Sequence, residues 1–242
     1  MLCLYMKPFE VPSVLGSLVE TYPSVESIIN VLEIDDKDAR YALARLWLSE
    51  GIPYCFKSKP GVYESLRTWL SRQLQVRAKE ITIVGSGRQG FCLSPGTNIG
   101  QVFGEHSDLD LTIISAPLFR QLEETFKQWR ADYFGGIVSP RSEQEGEFWE
   151  ANVESVSSGL ARGFIDPHKV PTFNRYPTVQ FIMNAMYVAR EKLKVTSGAP
   201  IVKRVSVRVY NDWDSFIKQM AINLQRLVIY LNQKETAPRR RF

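Results

Sequence analysis

Apolar residues recur at helical spacing through much of the first third of the chain. Val25 to Leu32 reads as a short helix. Ser24 is placed to cap it, and Glu26 lies in the first turn, where the helix dipole favours an acid. Ser27 stands where a full capping box would need Glu or Gln. From Lys37 to Glu50, the residues Ala39, Ala42, Leu43, Leu46 and Trp47 form one stripe. Asp35 or Asp36 supplies the cap, and Gly51-Ile52-Pro53 stops the helix. Val62 to Leu74 predicts another helix, with Leu66, Trp69, Leu70 and Leu74 on its apolar face.

The period then changes. Glu80 to Val84 reads as a buried strand that runs directly into Gly85-Ser86-Gly87-Arg88-Gln89-Gly90. Asp108 to Ser115 is a second strand with partial alternation. Helical spacing returns at Leu118, Leu122, Phe126 and Trp129. The stretch Gly135 to Val170, rich in Gly, Ser and charge, predicts mostly loop. A helix over Thr178 to Leu193, a β-branched strand over Ile201 to Tyr210 and an amphipathic helix over Asp214 to Leu231 follow. Together these predict an α/β fold of α+β layout, a small mixed sheet with flanking helices. Residues 1–75 form a helical N-terminal extension and residues 76–242 the core.

Composition narrows the classes. The chain has 242 residues, 44% hydrophobic and 23% charged, with a net charge of +4. That is globular composition, with ample aromatic material for a core. The modest positive balance permits a polyanionic partner without requiring one. No apolar run approaches the ~20 residues of a membrane span. The apolar start has no basic flank and carries Lys7, Pro8 and Glu10, so it does not read as a signal peptide. The two histidines, His106 and His168, are far apart, and Cys3, Cys55 and Cys92 form no CxxC pair. A zinc site of such ligands is not expected, and the scattered cysteines fit a reducing cytoplasm. Of the tryptophans, Trp129 belongs to an apolar stripe, whereas Trp149 sits among acids and is expected to be exposed.

Two segments carry chemistry. After the first strand, the glycines of Gly85 to Gly90 let backbone approach a ligand closely. The Ser86 hydroxyl and nearby N–H groups can hold a phosphate that Arg88 neutralises. No Lys-Ser or Lys-Thr follows, so this is not a Walker loop, and Pro95, Gly96 and Gly100 oppose the long helix of a dinucleotide site. In Ser107-Asp108-Leu109-Asp110-Leu111, a strand period of two puts Asp108 and Asp110 on one face. Two such carboxylates repel each other unless a cation joins them, and hard oxygen ligands suit Mg²⁺.

A strand, a Gly-Ser turn, a linker and then Asp108-Leu109-Asp110 on a second strand resemble the nucleotidyltransferase superfamily with a DNA polymerase β-like core. The resemblance covers about residues 80–115. It implies a sheet of that type, a nucleoside triphosphate held at Gly85, Ser86 and Arg88, and Mg²⁺ (or Mn²⁺) held by Asp108 and Asp110. It implies transfer of a nucleoside monophosphate to a hydroxyl of a protein, an RNA, a nucleotide or a small molecule such as an aminoglycoside. Active members of the family carry a third carboxylate on a later strand. In Ile201 to Tyr210 the position where that acid belongs holds Ser206, on a face with Arg204 and Arg208. Asp212, Asp214 and Asp166 are the remaining candidates. Without a third acid, the alternative is a catalytically reduced regulatory or binding subunit of a toxin–antitoxin or phage-defence module. The N-terminal helices, with no basic recognition face, would pack on the core or bind a protein partner.

Overall fold

The computed structural model describes residues 11–236; Cys3, the first ten residues and the basic run Arg239 to Arg241 lie outside them. The fold is mixed α/β: eight helices and one small mixed sheet. The strands are β1 (Ile81–Val84), β2 (Asp108–Ile114), β3 (Phe164–Ile165) and β4 (Arg204–Tyr210), in the order β1-β2-β4-β3. β2 is antiparallel to β1 and parallel to β4, and β3 is antiparallel to β4.

The helices are α1 (Val25–Glu33), α2 (Lys37–Arg45), α3 (Pro60–Leu74), α4 (Ser86–Gln89), α5 (Ala116–Phe134), α6 (Glu143–Ala161), α7 (Pro177–Lys194) and α8 (Trp213–Thr236). Leu109, Leu111 and Ile113 of β2 and Val205, Val207 and Val209 of β4 point to one face, where α3, α5 and α7 bury them in the main core. On the other face Ile114, Phe164 and Tyr210 pack with Phe216 of α8. α8 in turn joins α1 and α2 in a second core of Ile28, Leu32, Leu43, Leu224 and Leu227. Since Leu66, Leu70 and Leu74 of α3 share the main core with the sheet, that core runs across residue 75. No helix among the described residues is long and apolar enough to cross a membrane.

Several expectations are corrected. α2 ends at Arg45 rather than running on to Glu50. The carbonyls beyond it turn to side chains of the core instead of to the helix ladder: Trp47 and Gly51 accept from Arg88, and Ser49 accepts from Thr82. Asp36, not Asp35, is the cap, accepting from the Asp38 and Ala39 N–H groups at 2.7 and 3.0 Å. The expected loop over residues 135–170 contains the 19-residue α6. Ser142 caps it, Glu143 and Glu145 load its first turn, and Trp149, Val153, Val156 and Leu160 give a thin apolar stripe. Trp149 is therefore buried, at 4% exposure, edge-on to Trp129 with ring centres 5.8 Å apart. The acids around it occupy the solvent side of the same helix.

Candidate active site

The Gly-Ser turn and the aspartate pair come together in space. β1 delivers the chain to Gly85, whose φ of 66° lies in the region L side chains avoid. A Cβ built there would meet the Asp110 carboxylate at 3.0 Å. The β1–β2 register sets Val84 opposite Asp110, so the turn rests against that side chain. Ser86 opens the four-residue α4, which ends at Gly90 with φ 96°. A cleft of about 690 Å³ opens here, lined by Gly85, Ser86, Asp110, Ser206, Asp166 and Arg208 among others. The segment after Gly90 folds back on itself through a Phe91–Val102 bridge, and its Leu93, Ser94 and Pro95 also line the cleft.

Asp108 and Asp110 share one face of β2, as their spacing predicts; Asp110 lines the cleft, whereas Asp108 lies at its edge beside Arg204. Parallel pairing sets Arg204 opposite Asp108 and Ser206 opposite Asp110. The Ser206 hydroxyl donates to Asp110 Oδ1 at 2.6 Å. Burial pushes the Asp110 carboxyl up from its ordinary range, and the neighbouring Asp108 charge adds to that, against the pull of the Ser206 bond. Asp108 accepts from Arg204 Nη2 at 2.5 Å. The Arg204 side chain is 67% exposed, so that pair is weak and its guanidinium is free to swing away.

Of the three candidates for a third acid, only Asp166 reaches the cleft. It follows β3 and is buried, and both of its oxygens are taken: Arg208 Nε donates to Oδ1 at 2.6 Å and Nη2 to Oδ2 at 2.9 Å. Burial alone would raise its pKa, but these bonds hold it below the usual carboxylate range. Asp212 caps α8 instead, accepting from the Ser215 N–H at 2.7 Å. Asp214 is exposed in the first turn of that helix. Among the described residues no three His, Cys, Asp or Glu side chains form a metal-holding group. The donor set fits one hard cation on Asp108 and Asp110. A second ion would need Asp166 to leave Arg208.

Arg88, expected to neutralise a phosphate, does not line the cleft. It is 3% exposed, and its guanidinium donates to the Trp47 and Gly51 carbonyls at 3.1 and 2.9 Å. It ties the α4 turn to the segment after α2. His168 does line the cleft, whereas His106 lies exposed beside Gly104.

Sequence reasoning missed the rest of the wall: Arg162 at the end of α6, Lys169 after β3, and Gln219, Asn223 and Arg226 on α8. Arg162 fell in the segment read as loop. The α8 trio had a legible signal, because polar residues at positions 219, 223 and 226 recur at helical spacing beside the apolar stripe. Comparison of the chain with family models, with curated proteins and with solved structures returned no match.

Proposed function

We propose that this chain is a metal-dependent nucleotidyltransferase with a DNA polymerase β-like sheet, moving a nucleoside monophosphate from a triphosphate to a hydroxyl. The reading rests on one observation: Ser86 and Asp110, 24 residues apart in sequence, line one cleft, with the Gly85 backbone against the Asp110 carboxylate and Asp108 on the same strand face at its edge. In this reading the Ser86 hydroxyl and the turn's N–H groups bind phosphate oxygens. Asp108 and Asp110 would hold Mg²⁺ or Mn²⁺, which would supply charge neutralisation at the triphosphate and acidify the acceptor hydroxyl. The acceptor hydroxyl gives its proton to solvent, its oxygen bonds to the α-phosphorus, the bond to the bridging oxygen breaks, and pyrophosphate departs. Ser206 fixes the rotamer of Asp110, and Arg204 releases Asp108 when a cation competes for it.

Incubation with each labelled nucleoside triphosphate and Mg²⁺ or Mn²⁺ tests this. The expected result is pyrophosphate release that disappears in an Asp108→Ala/Asp110→Ala variant. The second reading, a catalytically reduced regulatory subunit of a toxin–antitoxin or phage-defence module, is favoured by Ser206 opposite Asp110 and by Arg208 on Asp166. It expects nucleotide binding without pyrophosphate from any triphosphate, even after cell extract is added. A protein partner would then be the effector. α1 and α2 bury their apolar stripes on α8, so such a partner would meet their outer surface.

A further inference from the structure

The cleft is longer than one phosphate site, and its far wall has a different chemistry. With the sheet ordered β1-β2-β4-β3, the Gly85 turn and Phe164 lie three strand spacings apart, roughly 14 Å. Phe164 carries two guanidinium groups on its ring, Arg208 at 4.3 Å and Arg162 at 4.8 Å from the centroid. Arg208 is neutralised by Asp166. Arg162 is not: it donates to the Ser158 carbonyl and to Gln219 Oε1 at 3.2 Å, both neutral. Among the described residues no carboxylate forms an ion pair with Arg162 or Arg226.

Between those two cations runs an amide ladder. Gln219 is only 3% exposed, yet it lines the cleft and passes a hydrogen bond to Asn223 Oδ1 at 2.9 Å. Gln219, Asn223 and Arg226 fall on one face of α8, a row about 10 Å long. Burying a primary amide in a cleft wall is costly unless it has partners. Asn223 is exposed and its Oδ1 is taken by Gln219, which leaves its NH₂ to offer an acceptor atom, and Arg162, whose Nη2 also donates to Ser158 Oγ at 3.4 Å, keeps two of its five N–H donors for a phosphate oxygen. The lining holds five Lys or Arg side chains and two carboxylates, so it repels a polycation such as an aminoglycoside.

We infer that the α6–β3–α8 wall, with Arg162, Gln219, Asn223 and Arg226, is a metal-independent nucleotide subsite. Its guanidinium groups supply the positive charge that draws the phosphate, and its amides take the edge of the base. Naming its occupant the acceptor of the transfer rests on the function proposed above; the subsite itself does not. The acceptor is then a second nucleotide, whose sugar hydroxyl is presented toward the Asp108–Asp110 end of the cleft.

Titration calorimetry with AMP and with GMP in EDTA tests the subsite directly. At least one of them binds at one per chain without metal, and affinity falls as salt rises. Arg162→Glu/Arg226→Glu weakens it at least tenfold, with circular dichroism confirming the fold. Asn223→Ala, which leaves both arginines in place, weakens the nucleotide but not inorganic phosphate. Asp110→Asn does not weaken it, because a carboxylate that repels phosphate has been removed. Absence of metal-free binding, or affinity indifferent to the charge reversal, overturns the subsite. If binding appears only with Mg²⁺ and is lost in Asp110→Asn, the subsite fails while the proposed function stands. Metal-free binding without any metal-dependent triphosphate binding sinks the proposed function and leaves the subsite.

Discussion

In the proposed nucleotidyltransferase, replacing Asp110 by Asn lowers transfer at least a thousandfold, about 4 kcal/mol of transition-state stabilisation, while the protein becomes no less stable. Asn is close to Asp in shape and keeps an oxygen for the Ser206 hydroxyl, so packing changes little. What disappears is a negative ligand for the cation. The stability side follows from the burial of Asp110, which holds its carboxyl above the ordinary range. A carboxyl whose folded pKa is raised binds its proton more tightly in the native state than in the unfolded chain. It therefore costs stability at neutral pH, and that cost fades as pH falls through the folded value. Asn removes the cost at every pH. Steady-state rates and thermal melts of both proteins check the two halves. Equal losses of activity and melting temperature would show that Asp110 serves the fold instead. At sub-saturating metal, where proton and cation compete for this carboxyl, the same shift moves the acid limb of the wild-type pH–rate profile above the usual aspartate range, and added metal moves it back down.

Arg88→Ala produces the second large effect, on stability. Two charge-assisted hydrogen bonds to the Trp47 and Gly51 carbonyls vanish, and a buried volume beside α4 is left empty. Such losses come to about 3 kcal/mol, or a fall in Tm of roughly 6–12 °C. Arg88→Lys recovers only part, because an ammonium cannot serve both carbonyls through the same planar fork. Triphosphate affinity per folded molecule persists in both variants at low temperature. Loss of that affinity in a variant that melts like the wild type would return Arg88 to the phosphate site.

These two residues mark what a sequence discloses. Asp110 was legible because strand alternation is a strict geometric rule: leucines at 109 and 111 go to the core and aspartates at 108 and 110 to the other face. The same rule on β4 placed Ser206 in the position of interest, and parallel pairing with β2 then set it against Asp110. Arg88 was misread because the Gly-Ser turn continues as one helical turn, α4. Two residues along a helix rotate about 200°, so when Ser86 faces the cleft Arg88 faces the opposite way. The caps at Ser24 and Asp36 are visible in the sequence, but the end of α2 is not, since the side chains that claim the carbonyls of the segment after it come from positions 82 and 88. α6 hid behind a thin stripe in a charged, Gly- and Ser-rich segment. Asp166 follows a strand of only two residues, too short to give a period.

In the proposed enzyme Asp108 and Asp110 jointly hold a divalent ion that a triphosphate also binds. Mn²⁺ titration followed by electron paramagnetic resonance, with and without a non-hydrolysable triphosphate analogue, tests it most directly. The expected result is one Mn²⁺ per chain, held at least tenfold more tightly with the analogue present, and no such site in Asp110→Asn. Mn²⁺ binding equal in the wild type and Asp110→Asn, with or without the analogue, would contradict it.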